Sequence, residues 1–546
     1  MPRQAVLSTR VPPYEERRRE IEASPLPANI GALIDELAAS VPDRVAWNFF
    51  DQGETITYAA LRTEVNRLAN GLRAIGVRKG SHVGVMLPNI AAFPLTWLAL
   101  ARLGAVMIPV NTRYTERELH YVLDDGEADF VVIDAGLLSV LEKLPQPLPR
   151  LTDQNVVVVG DAPSRYRSWS AVKSAGSGDT PAGVDGVLLD DLLNIQYTSG
   201  TTGFPKGCML TQRYWLVIGK VNAFRDGRTY RNILASTPFF YMDPQWQLMM
   251  TFFQRATLYV AERQSASRFM EWVRRYAIDF TLLPNVILKQ PPSPHDRNNA
   301  LIRVNIYGFS KADHAELEER YDLIAREAFG MTEIGNAIFM PIEETGMVGS
   351  GSCGLASPFR ECRVADENGN PLPDGEIGEL IVRGPGILQG YYRKPEANKA
   401  SFHGDWFRTG DLFRRDERGF FYIVGRIKDM IRRAGENIAA REVEAVVCGL
   451  PEIAEAAAMP VPDATRGEEV KIYVVPQPGV TKADVSPQKI IDYCVGNLAS
   501  FKVPRYIEYR DELPKTPSDK VAKHVLKAEK PDLRSGSWDR VEQRWH

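Results

Sequence analysis

From about Val45 to Thr345, short apolar runs alternate with stretches of helical periodicity, and this alternation constrains the fold more than any other feature of the chain. The apolar runs predict strands at His82–Leu87, Ala105–Pro109, Phe130–Ile133, Val156–Val159, Leu258–Ala261 and Phe280–Leu283. The periodic stretches predict helices at Ile90–Leu103, Gln212–Phe224, Pro244–Phe253 and Ser265–Tyr276. Such alternation is typical of an α/β fold, a mainly parallel sheet with helices on both faces.

The second part of the chain has a different pattern. In residues 350–425, glycines separate short strand-like segments, which predicts an antiparallel layer or a small β-barrel. Beyond Gly425, the pattern predicts a small α+β unit with helices at Arg441–Cys448 and Pro487–Asn497. Because 546 residues are too many for one core, we expect a large N-terminal domain, residues 29–425, and a small C-terminal domain, residues 429–546.

Composition and termini exclude several classes of protein. Residues 1–28 are rich in charge and proline, which predicts a flexible arm without a signal peptide. No membrane span is predicted, because a charge and two helix breakers interrupt the most apolar window, residues 93–110. A net charge of −3 provides no basic field for nucleic acid. The five cysteines lack metal-ligand spacing, which predicts reduced thiols in a cytoplasmic enzyme.

A loop rich in glycine and hydroxyl side chains, Tyr197–Gly207, follows the apolar run Leu192–Ile195. Glycine allows backbone N–H groups to approach an anion, hydroxyls add donors, and Lys206 adds a mobile positive charge. The loop is not the common P-loop, in which a hydroxyl residue follows the lysine, because Gly207 follows Lys206 here. A flexible surface loop is the simpler alternative, but the long specified order favours a polyphosphate clamp.

Four further segments carry chemistry that is weak when each is taken alone. Phe329-Gly330-Met331-Thr332-Glu333 places a carboxylate beside a hydroxyl, donors that suit magnesium and phosphate, although a solvent-facing Thr-Glu pair is commoner. Thr409-Gly410-Asp411 places a carboxylate on a turn, which an aspartate that only caps the turn also explains. Gly425–Ile438 is a basic turn between the predicted domains, and Pro514–Val521 contains two lysines.

Together, these five segments resemble, in order and over nearly the whole chain, the motifs of the AMP-forming acyl-CoA synthetases, relatives of the luciferases and of the adenylation domains of nonribosomal peptide synthetases. The resemblance implies a large N-terminal domain and a small, mobile C-terminal domain. It also implies that ATP, Mg²⁺ and CoA bind to the enzyme. Residues 426–428 would form the hinge, with Lys428 as the hinge residue, and Gly435 would contact CoA.

The resemblance also assigns residues to ATP and Mg²⁺. Phosphate-clamp residues would be Thr198, Ser199, Gly200, Thr201, Thr202, Gly203 and Lys206. Residues near adenine, ribose or the α-phosphate would be Gly308, Phe309, Ser310, Phe329, Gly330, Met331, Thr332, Asp411, Ile423 and Arg426. Glu333 and Thr198 would hold the metal. The chain departs from the family at Phe329, where tyrosine is usual, so that stacking on adenine is kept but a phenolic hydrogen bond is lost.

The C-terminal lysine motif implies a catalytic role. By resemblance, Lys520 reaches the α-phosphate and the acid's carboxylate during adenylation, and it would act with Lys206, Thr332 and Glu333. Asp519 replaces the glycine that usually precedes this lysine. Aspartate tolerates a positive φ better than most residues, so the turn is compatible with it. We expect the extra carboxylate to weaken the pull of the Lys520 ammonium on phosphate.

The acid pocket is the least specified part of the site. In the resemblance it is lined by Tyr241, Asp243, Trp246, Phe309 and Gly335, with Tyr241 in the place of the usual histidine. Asp243 is placed to reach a cationic or hydroxylated group, but an N-cap at Asp243 followed by Pro244 is the stronger interpretation from propensity. This region looks most like ligases of small polar acids, such as crotonobetaine/carnitine-CoA ligase.

The predicted reaction is ATP-dependent activation of a carboxylic acid to an acyl-adenylate, followed by transfer to the CoA thiol. Such chemistry needs positioning and charge neutralisation more than a protein nucleophile. Alternatives are a free-standing enzyme that loads a carrier protein or another acceptor, a luciferase-like oxygenase, and a catalytically weak ATP-binding homologue. The partners expected are a small acid and CoA or a carrier protein, without nucleic acid, and a homodimer is left open.

Overall fold

The computed structural model describes residues 3–198, 205–307, 309, 311–434, 436–516 and 520–546. They form two compact units. The first contains the described residues up to Thr198, Pro205–Cys362 and Val382–Phe407, and the second contains Arg363–Ile381 and Arg408–His546. The second unit thus includes parts of the β-rich stretch that the sequence assigns to the large domain, because compactness follows contacts in space and not chain order.

The helices of the first unit match the periodic stretches closely. Gln212–Phe224 has the predicted bounds, and hydroxyl side chains cap several helices; Thr115 and Glu118 form a capping box at the start of Glu116–Asp125. The α-helices of this unit are Arg3–Ser8, Tyr14–Ala23, Ile30–Ser40, Tyr58–Ala74, Ala92–Leu103, Glu116–Asp125, Leu138–Glu142, Trp169–Ala175, Gln212–Phe224, Met242–Gln254, Ala266–Arg275, Lys311–Tyr321 and Pro395–Ser401.

One sheet of the first unit carries the segment predicted to bind the α-phosphate and metal. Its strands, in the order of their pairing, are Ser352–Ala356, Gly335–Phe339, Ala325–Met331, Arg303–Ile306, Phe280–Leu282, Asn232–Ala235, Thr257–Val260, Val45–Phe49 and Glu54–Thr57. The pairs from Ala325–Met331 to Val45–Phe49 are parallel, as predicted. The hairpin of Ala325–Met331 with Gly335–Phe339 is antiparallel, so its turn projects from the end of a parallel layer.

A second sheet of the first unit carries the predicted phosphate loop. Its strands, in order of pairing, are Arg167–Ser168, Val156–Val159, Phe130–Asp134, His82–Met86, Val106–Pro109, Leu192–Thr198 and Lys206–Thr211. All pairs are parallel except the last, which is an antiparallel hairpin. The central strands are valine- and isoleucine-rich and buried, as expected of strands covered on both faces.

The second unit has a mixed sheet of its own, as predicted for an α+β unit. Its strands, in order of pairing, are Glu436–Ala439, Met430–Arg433, Gly467–Pro476, Tyr506–Tyr509, Trp538–Asp539 and Arg544–Trp545, and Ile453–Asp463 also pairs with Gly467–Pro476. Helices Ala440–Val447 and Pro487–Asn497 contribute to its core, and a short helix spans Lys523–Ala528.

Besides Ser352–Ala356, the β-rich stretch forms the strands Glu361–Ala365, Ile377–Arg383, Trp406–Arg415 and Phe421–Arg426. The short strand Phe402–His403 pairs with Trp406–Arg415. Within the second unit, Asp411–Arg415 pairs antiparallel with Phe421–Arg426. This pairing agrees with the antiparallel layer expected there.

The N-terminal segment differs from the flexible arm expected for residues 1–28. Helix Tyr14–Ala23 buries Tyr14, Arg17 and Ile21 in the first unit. Arg17 pairs with Glu343 at 2.9 Å and donates to the backbone oxygen of Arg225 at 2.9 Å. Composition suggested disorder because the segment is highly charged, but the charges at this position have partners far away in the chain. Among the described helices, none is long and apolar enough to cross a membrane.

Candidate active site

The predicted phosphate loop joins the two strands of a hairpin. Thr198 ends the first strand and lies directly opposite Lys206, which begins the second. The Thr198 hydroxyl also donates to the backbone oxygen of Lys206 at 3.4 Å. The intervening residues Ser199–Phe204 lie outside the described part of the chain, so the predicted roles of Ser199, Gly200, Thr201, Thr202 and Gly203 stay predictions.

The Lys206 side chain lies against an aromatic ring that the sequence did not single out. Its Nζ atom is 4.2 Å from the centroid of Tyr391. The Tyr391 hydroxyl donates to Glu333 Oε1 at 2.8 Å, with both side chains buried. Two residues predicted to act on the triphosphate and its metal, Lys206 and Glu333, are therefore brought together by one tyrosine.

A tight turn between two strands presents Thr332 and Glu333. Met331 pairs with Gly335, and Ile334 N–H closes the turn on the Met331 carbonyl at 3.1 Å. Gly330 is required here because a Cβ atom on it would lie 2.5 Å from the Gly335 carbonyl oxygen. Gly335 has φ +64°, a backbone conformation that favours glycine. The glycines of this segment therefore serve the geometry of the turn.

Thr332 lies in this turn, where two neighbouring side chains contact it. The Tyr214 hydroxyl donates to its backbone oxygen at 2.9 Å, and its own hydroxyl contacts the Met242 sulfur at 3.6 Å. Phe329, predicted to stack on adenine, is half-buried on the preceding strand and pairs in register with Ile338. The hairpin thus presents an aromatic ring, a hydroxyl and a carboxylate within five successive positions.

Cys208 lies beside both predicted metal ligands. Its thiol is buried and close enough to Thr198 and Glu333 for both to affect its pKa. Burial raises the pKa of the Cys208 thiol well above its usual value, and the Glu333 carboxylate raises it further, so the thiol is neutral and not a nucleophile. The Thr198 hydroxyl and the Glu333 carboxylate are hard oxygen donors, a set that fits Mg²⁺.

The predicted acid-pocket residues lie at the start of helix Met242–Gln254. The N-cap of this helix is Tyr241, so the cap expected at Asp243 is wrong. Asp243 lies inside the first turn instead, where its Oδ1 atom accepts a hydrogen bond from Trp246 Nε1 at 3.0 Å. Because that indole N–H is buried and needs an acceptor, it fixes the carboxylate one turn away. Asn111 donates to the Tyr241 hydroxyl at 3.5 Å.

The segment predicted to lie under adenine is only partly described. Gly308 and Ser310 lie outside the described residues. Phe309 is half-buried, its N–H donates to Glu327 Oε1 at 3.2 Å, and its ring packs against a core cluster that includes Leu283 and Ile287. The Phe309 side chain therefore has a packing role, and its predicted role in the acid pocket stays a prediction.

In the second unit, the predicted ribose-binding carboxylate is buried and paired. Asp411 is 3% exposed and accepts from Arg426 Nε at 3.0 Å, across the pairing of their strands. Burial raises the pKa of Asp411 above its usual value, against the opposing effects of Arg426, Lys428 and Lys520. Gly410 turns the chain with φ +71° just before it. Ile423 lies opposite Phe413 on the next strand.

The predicted hinge residue and catalytic lysine also lie in the second unit. Lys428 is in a single turn of 3₁₀ helix, Ile427–Asp429, that follows the strand carrying Arg426. Lys520 is exposed, and residues 517–519, including Asp519, lie outside the described part of the chain. Thr516 N–H donates to the Lys520 carbonyl at 2.7 Å, and Lys520 N–H donates to the Thr516 hydroxyl at 3.2 Å. Gly435 lies outside the described residues.

A family model described as AMP-binding enzyme matches residues 34–392, and one described as AMP-binding enzyme C-terminal domain matches residues 442–520. The first match alone covers more than half of the 546 residues. The chain belongs to the AMP-binding enzyme family. The two matches contain three of the five segments that carry the predicted resemblance: Tyr197–Gly207, Phe329–Glu333 and most of Pro514–Val521. Thr409–Asp411 and Gly425–Ile438 lie between the two matched ranges.

Similar proteins within this family are CoA ligases and synthetases. The chain is 31% identical over 529 residues to crotonobetaine/carnitine–CoA ligase of Salmonella typhimurium strain LT2, which covers 91% of this chain and 99% of the relative. ATP-bound MatB from Rhodopseudomonas palustris is 28% identical with a TM-score of 0.80, over 91% of this chain and 98% of MatB.

A further neighbour has been solved at two stages of its reaction. It is o-succinylbenzoate CoA synthetase (MenE) from Bacillus subtilis, in complex with an acyl-adenylate intermediate, with 25% identity, a TM-score of 0.79 and coverage of 91% and 98%. Its complex with ATP and magnesium is similar to this chain with a TM-score of 0.78 and 25% identity, over 91% of this chain and 99% of MenE. These neighbours confirm the predicted adenylate-forming family, its fold class, and ATP, Mg²⁺ and CoA as the ligands of its reaction.

The sequence missed Tyr391, Tyr214 and Cys208, which contact the predicted site residues. Tyr391 and Tyr392 follow Gly390 in a glycine-punctuated stretch, a pattern that indicates a strand or turn but no chemistry. Tyr391 and Glu333 are 58 positions apart, so only the fold brings them together.

Proposed function

We propose that this AMP-binding enzyme joins a small polar carboxylic acid to CoA. The reaction class is ATP-dependent activation of a carboxylic acid followed by transfer to the CoA thiol. The observation that carries the site assignment is the arrangement of Lys206 and Glu333 around Tyr391, at the end of the glycine-rich loop. This arrangement supports the assignment, because a magnesium triphosphate needs both a cation and a carboxylate near it.

In the first half-reaction, the acid's carboxylate oxygen attacks the α-phosphorus of ATP, and the bond to the β-phosphate oxygen breaks to release pyrophosphate. We assign Lys206 and the loop to the departing phosphates, and Thr332 and Lys520 to the α-phosphate. When bound at Glu333 and Thr198, Mg²⁺ would neutralise phosphate charge. Glu333 holds its carboxylate at the hairpin turn, where Tyr391 orients it.

In the second half-reaction, the CoA sulfur attacks the acyl carbon, AMP leaves, and the thiol proton passes to solvent. Asp411 would accept the ribose hydroxyls while Arg426 neutralises its charge. Lys428 would act as the hinge residue between the half-reactions, and Gly435 would contact CoA. Support for these roles comes from the order of the motifs in the chain and from the exposed position of Lys520 on its turn.

The substrate class follows from the start of helix Met242–Gln254. Asp243 brings a carboxylate and Tyr241 a hydroxyl to the start of this helix, and an aliphatic acyl chain packed there would remove water from both groups without offering a hydrogen bond in return. A short acid with a cationic or hydroxylated group would pair with them. The relative named for crotonobetaine and carnitine, both small acids with a quaternary ammonium group, supports this class.

We also propose a cellular compartment and an acyl acceptor for this enzyme. The five cysteines are free thiols, which supports a reducing compartment such as the cytoplasm, where ATP and CoA are available. The acceptor is CoA in preference to a carrier protein, because the similar proteins above are CoA ligases and synthetases. A homodimer stays a prediction.

Pyrophosphate–ATP exchange over a panel of cationic, hydroxylated, dicarboxylic and aliphatic acids tests this function. We expect exchange with small polar acids and, after CoA is added, formation of the corresponding thioester. Exchange without a thioester would assign another acceptor, and no exchange with any acid would favour a weak ATP-binding homologue. Asp243→Asn should lower the preference for cationic over neutral acids about tenfold, because it removes the charge but keeps a hydrogen-bonding group.

A further inference from the structure

Tyr391 is the common neighbour of the two groups assigned to the magnesium triphosphate. Its hydroxyl is 2.8 Å from Glu333 Oε1, and its ring centroid is 4.2 Å from Lys206 Nζ. The hydroxyl and the ring therefore contact different partners. None of the five segments on which the resemblance rests contains this residue.

The backbone around Tyr391 is built into the same hairpin that carries Lys206. Met209 N–H donates to the Gly390 carbonyl at 2.9 Å, and Tyr392 N–H donates to the Gly207 carbonyl at 2.8 Å. Tyr391 thereby forms a bridge with Cys208, two positions beyond Lys206. The Asn398 side chain accepts from Tyr391 N–H at 2.6 Å and donates to its carbonyl at 3.0 Å. These bonds fix the position of the ring.

The turn that carries Glu333 is tied to the same segment. Leu388 N–H donates to the Glu333 backbone oxygen at 2.7 Å, three positions before Tyr391. Residues 388–392 thus contact the loop lysine on one side and the metal-binding turn on the other. This segment sets the spacing between them.

The two interactions of Tyr391 are chemically distinct. The buried phenol hydroxyl donates a hydrogen bond to the Glu333 carboxylate, which accepts it. A donor on one carboxylate oxygen restricts rotation of that carboxylate. The ring face carries negative electrostatic potential, which attracts the Lys206 ammonium without competing for its hydrogen bonds to phosphate.

We propose that Tyr391 is a positioning residue for the magnesium triphosphate, whose hydroxyl orients Glu333 toward the metal while its ring holds the Lys206 ammonium beside it. The proposal rests on the proposed roles of Glu333 and Lys206. It makes the two functions of Tyr391 separable by mutation, because phenylalanine keeps the ring and loses only the hydroxyl.

ATP affinity measured by calorimetry, once with excess Mg²⁺ and once with a chelator, separates the two functions. In Tyr391→Phe, we expect the gain in affinity caused by Mg²⁺ to fall about tenfold, the lower end of the usual effect of residues that orient a metal ligand. Affinity in chelator should stay unchanged. In Tyr391→Leu, affinity in chelator should also fall, by about two- to fivefold, because Lys206 loses its aromatic support.

Tyr392→Phe is the matched control. It also removes a tyrosine hydroxyl from a carboxylate, since Tyr392 donates to Glu127 at 2.6 Å, but Glu127 has no assigned role with nucleotide. Its Mg²⁺-dependent gain should equal that of the wild type. If Tyr391→Phe behaves like Tyr392→Phe, with at most a loss of thermal stability, the tyrosine is a packing residue and the proposal is wrong.

Glu333→Gln distinguishes failure of this proposal from failure of the proposed site. If Glu333→Gln removes the Mg²⁺-dependent gain while Tyr391→Phe keeps it, Glu333 binds the metal without help from Tyr391. If neither variant changes the gain, the metal assignment of Glu333 is itself wrong, and the role of Tyr391 falls with it.

Discussion

Two lysines are assigned to the phosphates of ATP, and the molecule holds them in opposite ways. Lys206 begins a sheet strand and lies against the buried ring of Tyr391 in the first unit. Lys520 is exposed in the second unit, where its backbone N–H donates to the Thr516 hydroxyl at 3.2 Å. A group that serves throughout the reaction gains from a preformed position, whereas a group that serves one half-reaction must be able to leave.

The largest effect should come from removing the exposed lysine. Lys520→Ala should slow adenylation about 100- to 1,000-fold, the usual result of losing one charged donor from a transition state. Conversion of supplied acyl-adenylate to the thioester should change little, because that step does not use this lysine. Pyrophosphate–ATP exchange and single-turnover thioester formation measure the two steps separately.

The matched control is Lys515→Ala on the same turn. Lys515 pairs with Glu455 at 2.6 Å and is one-third exposed, so its loss should cost at most about 1 kcal/mol of stability and little activity. Equal losses in both half-reactions for Lys520→Ala would contradict the contrast between the two lysines.

A smaller effect should come from disturbing the rigid region. In Gly330→Ala, the new Cβ would meet the Gly335 carbonyl at 2.5 Å, so the hairpin must shift and carry Thr332 and Glu333 with it. We expect a loss of about 1–3 kcal/mol in the free energy of unfolding and about tenfold to 100-fold in adenylation.

Gly346→Ala tests whether the effect belongs to the hairpin. A Cβ at Gly346 meets nothing within 4 Å, so stability should change by less than about 0.5 kcal/mol. Chemical denaturation and exchange kinetics measure both variants. A Gly330→Ala enzyme as stable and active as Gly346→Ala would show that the hairpin is not rigid.

Asp411 allows a pH test in the second unit. Its pKa is raised by burial, and only the ionised carboxylate accepts hydrogen bonds at both oxygens, so nucleotide affinity should fall as pH is lowered toward that pKa. Asp411→Asn should bind AMP about tenfold more weakly at neutral pH and lose this pH dependence. Calorimetry between pH 5 and 8 tests both, and an unchanged pH profile in the variant would remove Asp411 from the ribose site.

Local sequence patterns predicted much of the fold, because whether a segment forms a strand or a helix depends largely on apolar residues a few positions apart. The strands His82–Met86 and Phe130–Asp134 and the helix Gln212–Phe224 lie where apolar runs and periodicity placed them. The prediction of an N-cap at Asp243 was wrong. The Asp243 carboxylate accepts a hydrogen bond from the indole N–H of Trp246, which competes with the backbone N–H groups that a capping carboxylate would bind.

The contacts that assemble the site were not predictable from local patterns. Tyr391 contacts Glu333 although the two are 58 positions apart in the chain, and Arg17 contacts Glu343 although they are 326 positions apart. Contacts between residues so far apart depend on tertiary packing, which cannot be inferred from any short segment of the sequence. The resemblance predicted the residues within its five segments, and Tyr391 lies outside those segments.

The smallest effect should come from restoring the family residue beside the exposed lysine. Asp519→Gly removes a negative charge next to Lys520, and two charges about 6 Å apart in water interact by roughly 0.7 kcal/mol, so adenylation should rise about threefold. The gain should shrink with added salt, because screening weakens interactions between exposed charges. Exchange rates at low and high ionic strength measure this. If the rate falls instead, Asp519 helps to position Lys520 by more than its charge weakens the action of this lysine, and the exposed lysine is then as constrained as the hairpin around Glu333.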